Sequence, residues 1–230
     1  GMHLVEPGRT RGIDKFVHTG SVCAYPKYAP VPFNEDAIWN GYPEETNAPY
    51  GVAKKAIFVM LDGYYREYGL KSAVALPVNL YGPHDNFDLQ TSHVIPALIR
   101  KCVEAKNNNA DHIECWGTGS ASREFLYVDD AAEGLVVAAE KMDEPVPINL
   151  GTNSEVTIKA LVELIVELVG FEGEIRWDAS KPDGQPRRCL DVSRAKELLD
   201  WEAGTDLRTG LRQTIDWFAK QTEVREVSYG

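Results

Sequence analysis

The chain has 230 residues, 43% hydrophobic and 26% charged, with a formal net charge of −11; that length supports one good core, or one core with a small appended lobe. The acidic balance argues against a nucleic-acid-binding face, and no apolar run approaches the ~18 residues that cross a bilayer. The four cysteines, Cys23, Cys102, Cys115 and Cys189, have neither zinc-site nor disulfide-framework spacing, which points to a reducing, cytoplasmic setting and to no metal site.

Lys15 to Thr19 is a short apolar run ending at Gly20, a buried strand that delivers Ser21 at its carboxyl end. Only about one strand's worth of chain precedes Ser21, and none of Gly8, Gly12 or Gly20 forms a glycine-rich dinucleotide fingerprint after a strand. Residues 25–46 carry Pro, Asn and Gly without a sustained period and read as an ordered loop. A helix is expected from Asn47, with Pro49 in its first turn, to Tyr68, stopped by Gly69. Ala73 to Pro77 reads as a second buried strand, after which Asn79 to Pro83 turns the chain out of the sheet.

A further helix is expected over 92–106. Strands at 112–116 and 123–128 flank a Gly117-Thr118-Gly119 turn, and Asp129 or Asp130 caps a helix to Lys141. Then follow a strand at 146–150, an amphipathic helix at 158–169 stopped by Gly170, a strand at 174–177, and helices at 193–199 and 207–220. Strands alternating with helices predict an α/β architecture with a parallel sheet.

Tyr50 and Lys54 are four apart on the expected helix and so share one face. An ammonium beside a phenol favours the phenolate, and such a tyrosine can exchange a proton with a substrate hydroxyl or ketone; one Tyr-x-x-x-Lys among ten tyrosines can equally be coincidence. Ser21 could place a hydroxyl where the same oxygen develops charge, or be an ordinary strand-end serine. Cys23 is either a thiolate base, if a cation lies close, or a small buried hydrophobe. His93 could act as an acid or be a surface residue at a helix start. Arg100, Lys101, Arg123, Lys181, Arg187 and Arg188 could clamp a diphosphate or be solvated charges.

Seven segments in order resemble the extended short-chain dehydrogenases and, within them, the GDP-L-fucose synthase family. They are Gly-Ser-x-Cys-x-Tyr-Pro-Lys at 20–27, Glu-x-Thr-Asn-x-Pro-Tyr at 44–50, Asn-Leu-Tyr-Gly-Pro-His-Asp-Asn-Phe at 79–87 and Ser-His-Val-Ile-Pro-Ala-Leu at 92–98. Trp-Gly-Thr-Gly at 116–119, Arg-Glu-Phe-Leu at 123–126 and Asp-Ala-Ser-Lys-Pro-Asp-Gly at 178–184 complete the set. Val22 and Val78 depart from the usual serine and threonine, and Lys101 replaces an arginine, keeping charge but losing a bidentate fork.

The resemblance implies an NADP-dependent 3,5-epimerase/4-reductase of GDP-4-keto-6-deoxymannose. It assigns catalysis to Ser21, Cys23, Tyr50, Lys54 and His93, with Lys54 on the nicotinamide ribose, Ser21 on the sugar's C4 oxygen, and Cys23 and His93 as the base and acid. Cofactor contacts fall on Tyr50, Lys54, Pro77, Asn79, Leu80 and His93; substrate contacts fall on Asn79, Lys101, Trp116, Arg123 and Lys181. The alternatives are another nucleotide-sugar epimerase or dehydratase, and a non-catalytic nucleotide-sugar binding protein. The expected fold is a partial Rossmann-like parallel sheet, its first strands absent, with a smaller C-terminal α/β substrate lobe. Residues 1–82 and 126–152 would form the dinucleotide-binding part, and 83–125 and 153–230 the nucleotide-sugar lobe. An uncovered strand at 15–19 would present its edge and apolar faces, so a homodimer or higher oligomer is expected, with no nucleic-acid or membrane partner.

Overall fold

The computed structural model describes residues 1–228. Helix α1 (Met2–Thr10) leads into β1 (Lys15–Thr19), and α2 (Ala48–Tyr68) crosses over to β2 (Lys71–Pro77). β6 (Pro147–Leu150) completes a three-stranded parallel sheet in the order β1-β2-β6. Helix α2 starts after Asn47 with proline in its first turn and ends on Gly69 at φ 68°, a left-handed conformation that glycine adopts without a steric penalty. All of β2 after Lys71 is buried, as a strand between two parallel neighbours must be.

Beyond β3 (Asn79–Tyr81) come α3 (Val94–Asn107), β4 (His112–Trp116), β5 (Ser122–Tyr127) and α4 (Val128–Lys141). After β6 lie β7 (Glu155–Thr157), α5 (Ile158–Val169), β8 (Glu174–Asp178), β9 (Arg187–Arg188), α6 (Ser193–Leu199) and α7 (Leu207–Ser228). β5 is the hub of a second sheet: it pairs parallel with β3 and β9 and antiparallel with β7, while β4 and β8 form a separate parallel pair.

Two apolar clusters hold these layers together. One gathers Val5, Phe58, Leu61, Leu76, Ile148 and Leu150, joined by Leu190, Leu199 and Trp201 from around α6. The other gathers Tyr81, Ile95, Ile99, Leu161, Ile165 and Leu211. Leu61, Leu76 and Ile148 are fully enclosed, so truncating any of them to alanine costs about 2–5 kcal/mol.

The structure corrects several sequence expectations. Residues 2–10 form a helix, which Pro7 and Gly8 obscured in the sequence. The loop at 25–46 contains a 3-10 turn at Glu35–Trp39. Asn79–Tyr81 leaves the β1-β2-β6 sheet as expected, but as a strand: it pairs as β3 with β5 in the second sheet. The short β7 and β9 exist only through their pairing with β5. Tyr127, not Asp129 or Asp130, caps α4; both aspartates lie in its first turn, where they face the positive helix end. β1 is an edge strand, yet one of its faces is covered: Phe16 packs into the first core and His18 sits edge-on against Phe58 of α2. On the other face Val17 remains 41% exposed.

Candidate active site

The site begins where β1 ends. Gly20 donates its N–H to the Ala75 carbonyl at 2.7 Å, and a Cβ there would collide with Leu76. The chain then bends into a 3-10 turn, Val22–Ala24, capped by Ser21, whose Oγ accepts from the Cys23 N–H at 3.2 Å. That bond uses an acceptor lone pair and leaves the Ser21 O–H free to donate outward. Tyr25 anchors the far side of the turn by donating to Asn149 Oδ1 at 2.7 Å.

Helix α2 brings its first turns directly onto this bend. Gly51 lies so close that a Cβ would overlap the Cys23 carbonyl oxygen. On either side of Gly51, Tyr50 is 51% exposed and Lys54 donates to the Thr19 carbonyl at 2.7 Å. The Lys54 ammonium is 5.4 Å from the centroid of the Tyr50 ring, within cation–π range. Ser21, Cys23, Tyr50 and Lys54 therefore gather at the carboxyl end of the parallel sheet, where open α/β sheets bind ligands.

A second group of residues reaches this end from the opposite lobe. Arg188 on β9 donates from Nη1 to Cys23 Sγ at 3.9 Å, and its Nε donates to Gln185 Oε1 at 2.8 Å. Gln185 in turn donates to the Lys27 carbonyl at 3.1 Å. Behind them Glu124, fully buried on β5, accepts from the N–H groups of Leu190 at 2.6 Å and Asn153 at 2.8 Å, and from that of Thr152. Burial pushes the Glu124 carboxyl upward while these three N–H donors pull it back. Asn79 donates to the Glu124 carbonyl at 2.8 Å, which fixes β3 beside the clasp. Arg123 lies next to Arg188, and burial, with that neighbouring cation, holds its guanidinium below the usual arginine range.

Trp116 forms a separate platform, 65% exposed, with Lys101 Nζ 5.9 Å and Lys181 Nζ 5.6 Å from its ring centroid. Asp183 pins the adjoining glycine turn by accepting from Thr118 N–H and Thr118 Oγ1, both at 2.7 Å. These two bonds hold the Asp183 carboxyl below the usual carboxylate range.

The structure thus clusters Ser21, Cys23, Tyr50 and Lys54, and separately Trp116, Lys101 and Lys181. His93 is the exposed N-cap of α3 and makes no side-chain hydrogen bond among the described residues. Pro77 is buried at the end of β2, and Leu80 is partly exposed on β3. Gly51, Glu124, Gln185 and Asp183 were not singled out from sequence. Their roles arise from contacts between distant segments; Glu124 and Asp183 lie inside the Arg-Glu-Phe-Leu and Lys-Pro-Asp-Gly segments, but neither segment signals the contacts its carboxylate makes.

A parallel α/β sheet with a Ser/Tyr/Lys set at its carboxyl end defines the Rossmann-like epimerases and reductases. The model of the NAD dependent epimerase/dehydratase family matches residues 1–151, and the chain belongs to that family. It is 43% identical over 218 residues to GDP-L-fucose synthase 1 of Arabidopsis thaliana, covering 95% of this chain and 67% of the relative. It is 40% identical to the GDP-L-fucose synthase of Escherichia coli K12, covering 96% and 71%. A GDP-L-fucose synthetase from Naegleria fowleri superposes with a TM-score of 0.89 at 28% identity, covering 96% of this chain and 70% of that one. The Naegleria protein has also been solved bound to NADP. The chain spans about two thirds of the length of the curated relatives it matches.

The exposed face made by Tyr50 and Lys54 suits the nicotinamide ribose end of such a cofactor: one hydroxyl and one ammonium stand at the carboxyl end of β1, the edge strand of the sheet. Among the described residues no glycine-rich turn joins a strand to a helix at this edge, so the fit extends to the nicotinamide end alone.

Proposed function

We propose that this chain carries the epimerising and substrate-binding machinery of an NADP-dependent 3,5-epimerase/4-reductase acting on GDP-4-keto-6-deoxymannose. The observation that supports it most is the seating of the Ser21–Cys23 turn on Gly51, between Tyr50 and Lys54. One tight contact then holds a thiol, two hydroxyls and an ammonium at the sheet end.

The chemistry follows from the keto group. A C4 ketone acidifies the hydrogens on C3 and C5. Cys23 as a thiolate takes one of these protons: the C–H bond breaks, an S–H bond forms, and the electron pair moves onto the C4 oxygen as an enolate. The Ser21 and Tyr50 hydroxyls stabilise that oxygen, and His93 returns a proton to the opposite face of the ring carbon. NADPH, held at its nicotinamide end by Tyr50 and Lys54, would supply the hydride for reduction at C4. Tyr50 is the proton donor to the C4 oxygen, with Lys54 favouring the phenolate it leaves. Trp116, Lys101, Lys181 and Arg123 take the nucleotide diphosphate, with Asn79 beside the sugar. Pro77, Leu80 and His93 line the cofactor side.

In this reading residues 1–82 and 126–152 form the dinucleotide-binding part and 83–125 and 153–230 the substrate lobe. The enzyme works in the cytoplasm, in keeping with four free cysteines. No helix among the described residues is long and apolar enough to cross a membrane. The open edge of β1, together with Val52 and Val59 exposed on α2, favours a homodimer. Sedimentation as a clean monomer at about tens of micromolar would refute that assembly.

The test of function is solvent deuterium uptake into GDP-4-keto-6-deoxymannose, read by mass spectrometry without NADPH. The chain should incorporate deuterium at C3 and C5, and Cys23→Ser should abolish it. Uptake that survives the substitution assigns the base elsewhere, and no uptake by a folded chain that binds GDP-mannose removes the epimerase reading.

A further inference from the structure

We propose that Arg188 is the positioning residue for Cys23: its guanidinium is the counter-ion that holds the Cys23 sulfur in place as a thiolate, supplied across the site from β9. The proposal rests on the reading of Cys23 as a base, and its test is independent of substrate.

The argument starts from two adjacent arginines with different fates. Successive residues on a strand point to opposite sides. Arg187 turns to Glu155 and is paired at 2.6 Å. Arg188 turns the other way, and among the described residues no carboxylate pairs with it. Its hydrogen-bond partners are a neutral amide, Gln185, and the sulfur of Cys23. Among the described residues it is the one charged side chain within hydrogen-bond reach of that sulfur. A half-buried guanidinium without a carboxylate is stabilised by an anion, and the nearest group able to supply one is the thiol it already touches.

The placement is built into the backbone. β9 is registered on β5, with Arg188 opposite Arg123. One residue further on, Phe33 donates its N–H to the Cys189 carbonyl at 2.8 Å, and Leu190 is held by the Glu124 carboxylate. Gln185 adds a second tie, because it bridges Arg188 to the Lys27 carbonyl in the same loop that carries Cys23. Arg188 and Cys23 are 165 residues apart, so their meeting is a product of the fold. Arg123, also without a carboxylate pair among the described residues, stands beside Arg188 and adds to the positive charge there. When Cys23 takes a proton from carbon, the sulfur becomes neutral and Arg188 is released to the developing enolate or the diphosphate.

The test is the rate at which iodoacetamide alkylates Cys23 at a fixed pH near neutrality, followed by peptide mass spectrometry. Cys102, Cys115 and Cys189 are buried and serve as internal references. Arg188→Gln should slow alkylation of Cys23 by about three- to tenfold, although the smaller side chain uncovers the sulfur, and Arg188→Lys should restore most of the rate. Raising salt to about 0.5 M should slow the unmodified protein, because the pair is partly solvated, and leave Arg188→Gln unchanged. Should Arg188→Gln fail to fold, Gln185→Ala, which frees the guanidinium, should give a smaller slowing of the same kind. Equal or faster alkylation in the folded variant, with the salt response retained, overturns the proposal. Because no sugar is present, this readout stands whether or not the deuterium-exchange test succeeds.

Discussion

Replacing Glu124 with alanine removes one buried carboxylate from three backbone hydrogen bonds at once. The N–H groups of Leu190, Thr152 and Asn153 all lose their acceptor, and the closed pocket around a side chain that is 0% exposed offers water little room to replace it. A hydrogen bond to a charged group contributes about 1.5–3 kcal/mol, so three give a gross loss of about 5–9 kcal/mol. Burying the carboxylate is itself costly, as its upward-shifted pKa shows, and relief of that cost offsets part of the loss. The expected net destabilisation is about 3 kcal/mol, a large share of a typical domain's 5–15 kcal/mol. Urea unfolding followed by tryptophan fluorescence measures it. Glu124→Gln keeps one acceptor oxygen but turns an NH2 toward one of the donors, and should cost about 1–2 kcal/mol. A Glu124→Ala protein within about 0.5 kcal/mol of the parent would show that these three hydrogen bonds do not hold the two lobes together.

Burial lowers His18 to about 4 from an ordinary value of 6.5. Between those values the unfolded chain binds a proton that the folded chain does not, so stability falls as pH drops. The loss between pH 8 and pH 5 is about 2 kcal/mol by linkage, and His18→Leu should remove that pH dependence from denaturation curves. Gly51→Ala places a methyl against the Cys23 carbonyl; it should cost about 1–3 kcal/mol and depress deuterium exchange more than it depresses GDP-mannose affinity. Trp116→Ala should weaken GDP-mannose binding about tenfold. Asp183→Ala should do so to a smaller degree by releasing the Thr118 turn, with calorimetry as the check.

Much of the scaffold was legible because its signals are local. The stop at Gly69, the proline in the first turn of α2 and the apolar run of β2 each depend on neighbouring residues. The same holds for Tyr50 and Lys54, whose four-residue spacing fixes a shared face. The sequence did not reveal structure that exists only through distant partners. β9 is two residues long and is a strand because β5 is beside it. Arg188 was one cation among six until the fold set it against Cys23, and Glu124 was merely a residue of the Arg-Glu-Phe-Leu segment. The proline and glycine of α1 gave a misleading local signal, which its packing against α2 overrides. His93 was visible as a helix-start histidine, and the structure places it there as an N-cap.

Whether the Trp116, Lys101 and Lys181 platform takes the nucleotide of the proposed substrate is tested by a tryptophan-fluorescence titration of the chain with GDP-mannose. Saturable quenching is expected, and Lys181→Ala should weaken it about tenfold. A folded chain whose fluorescence does not respond to GDP-mannose up to about millimolar concentration, and which shows no binding heat by calorimetry, would contradict it.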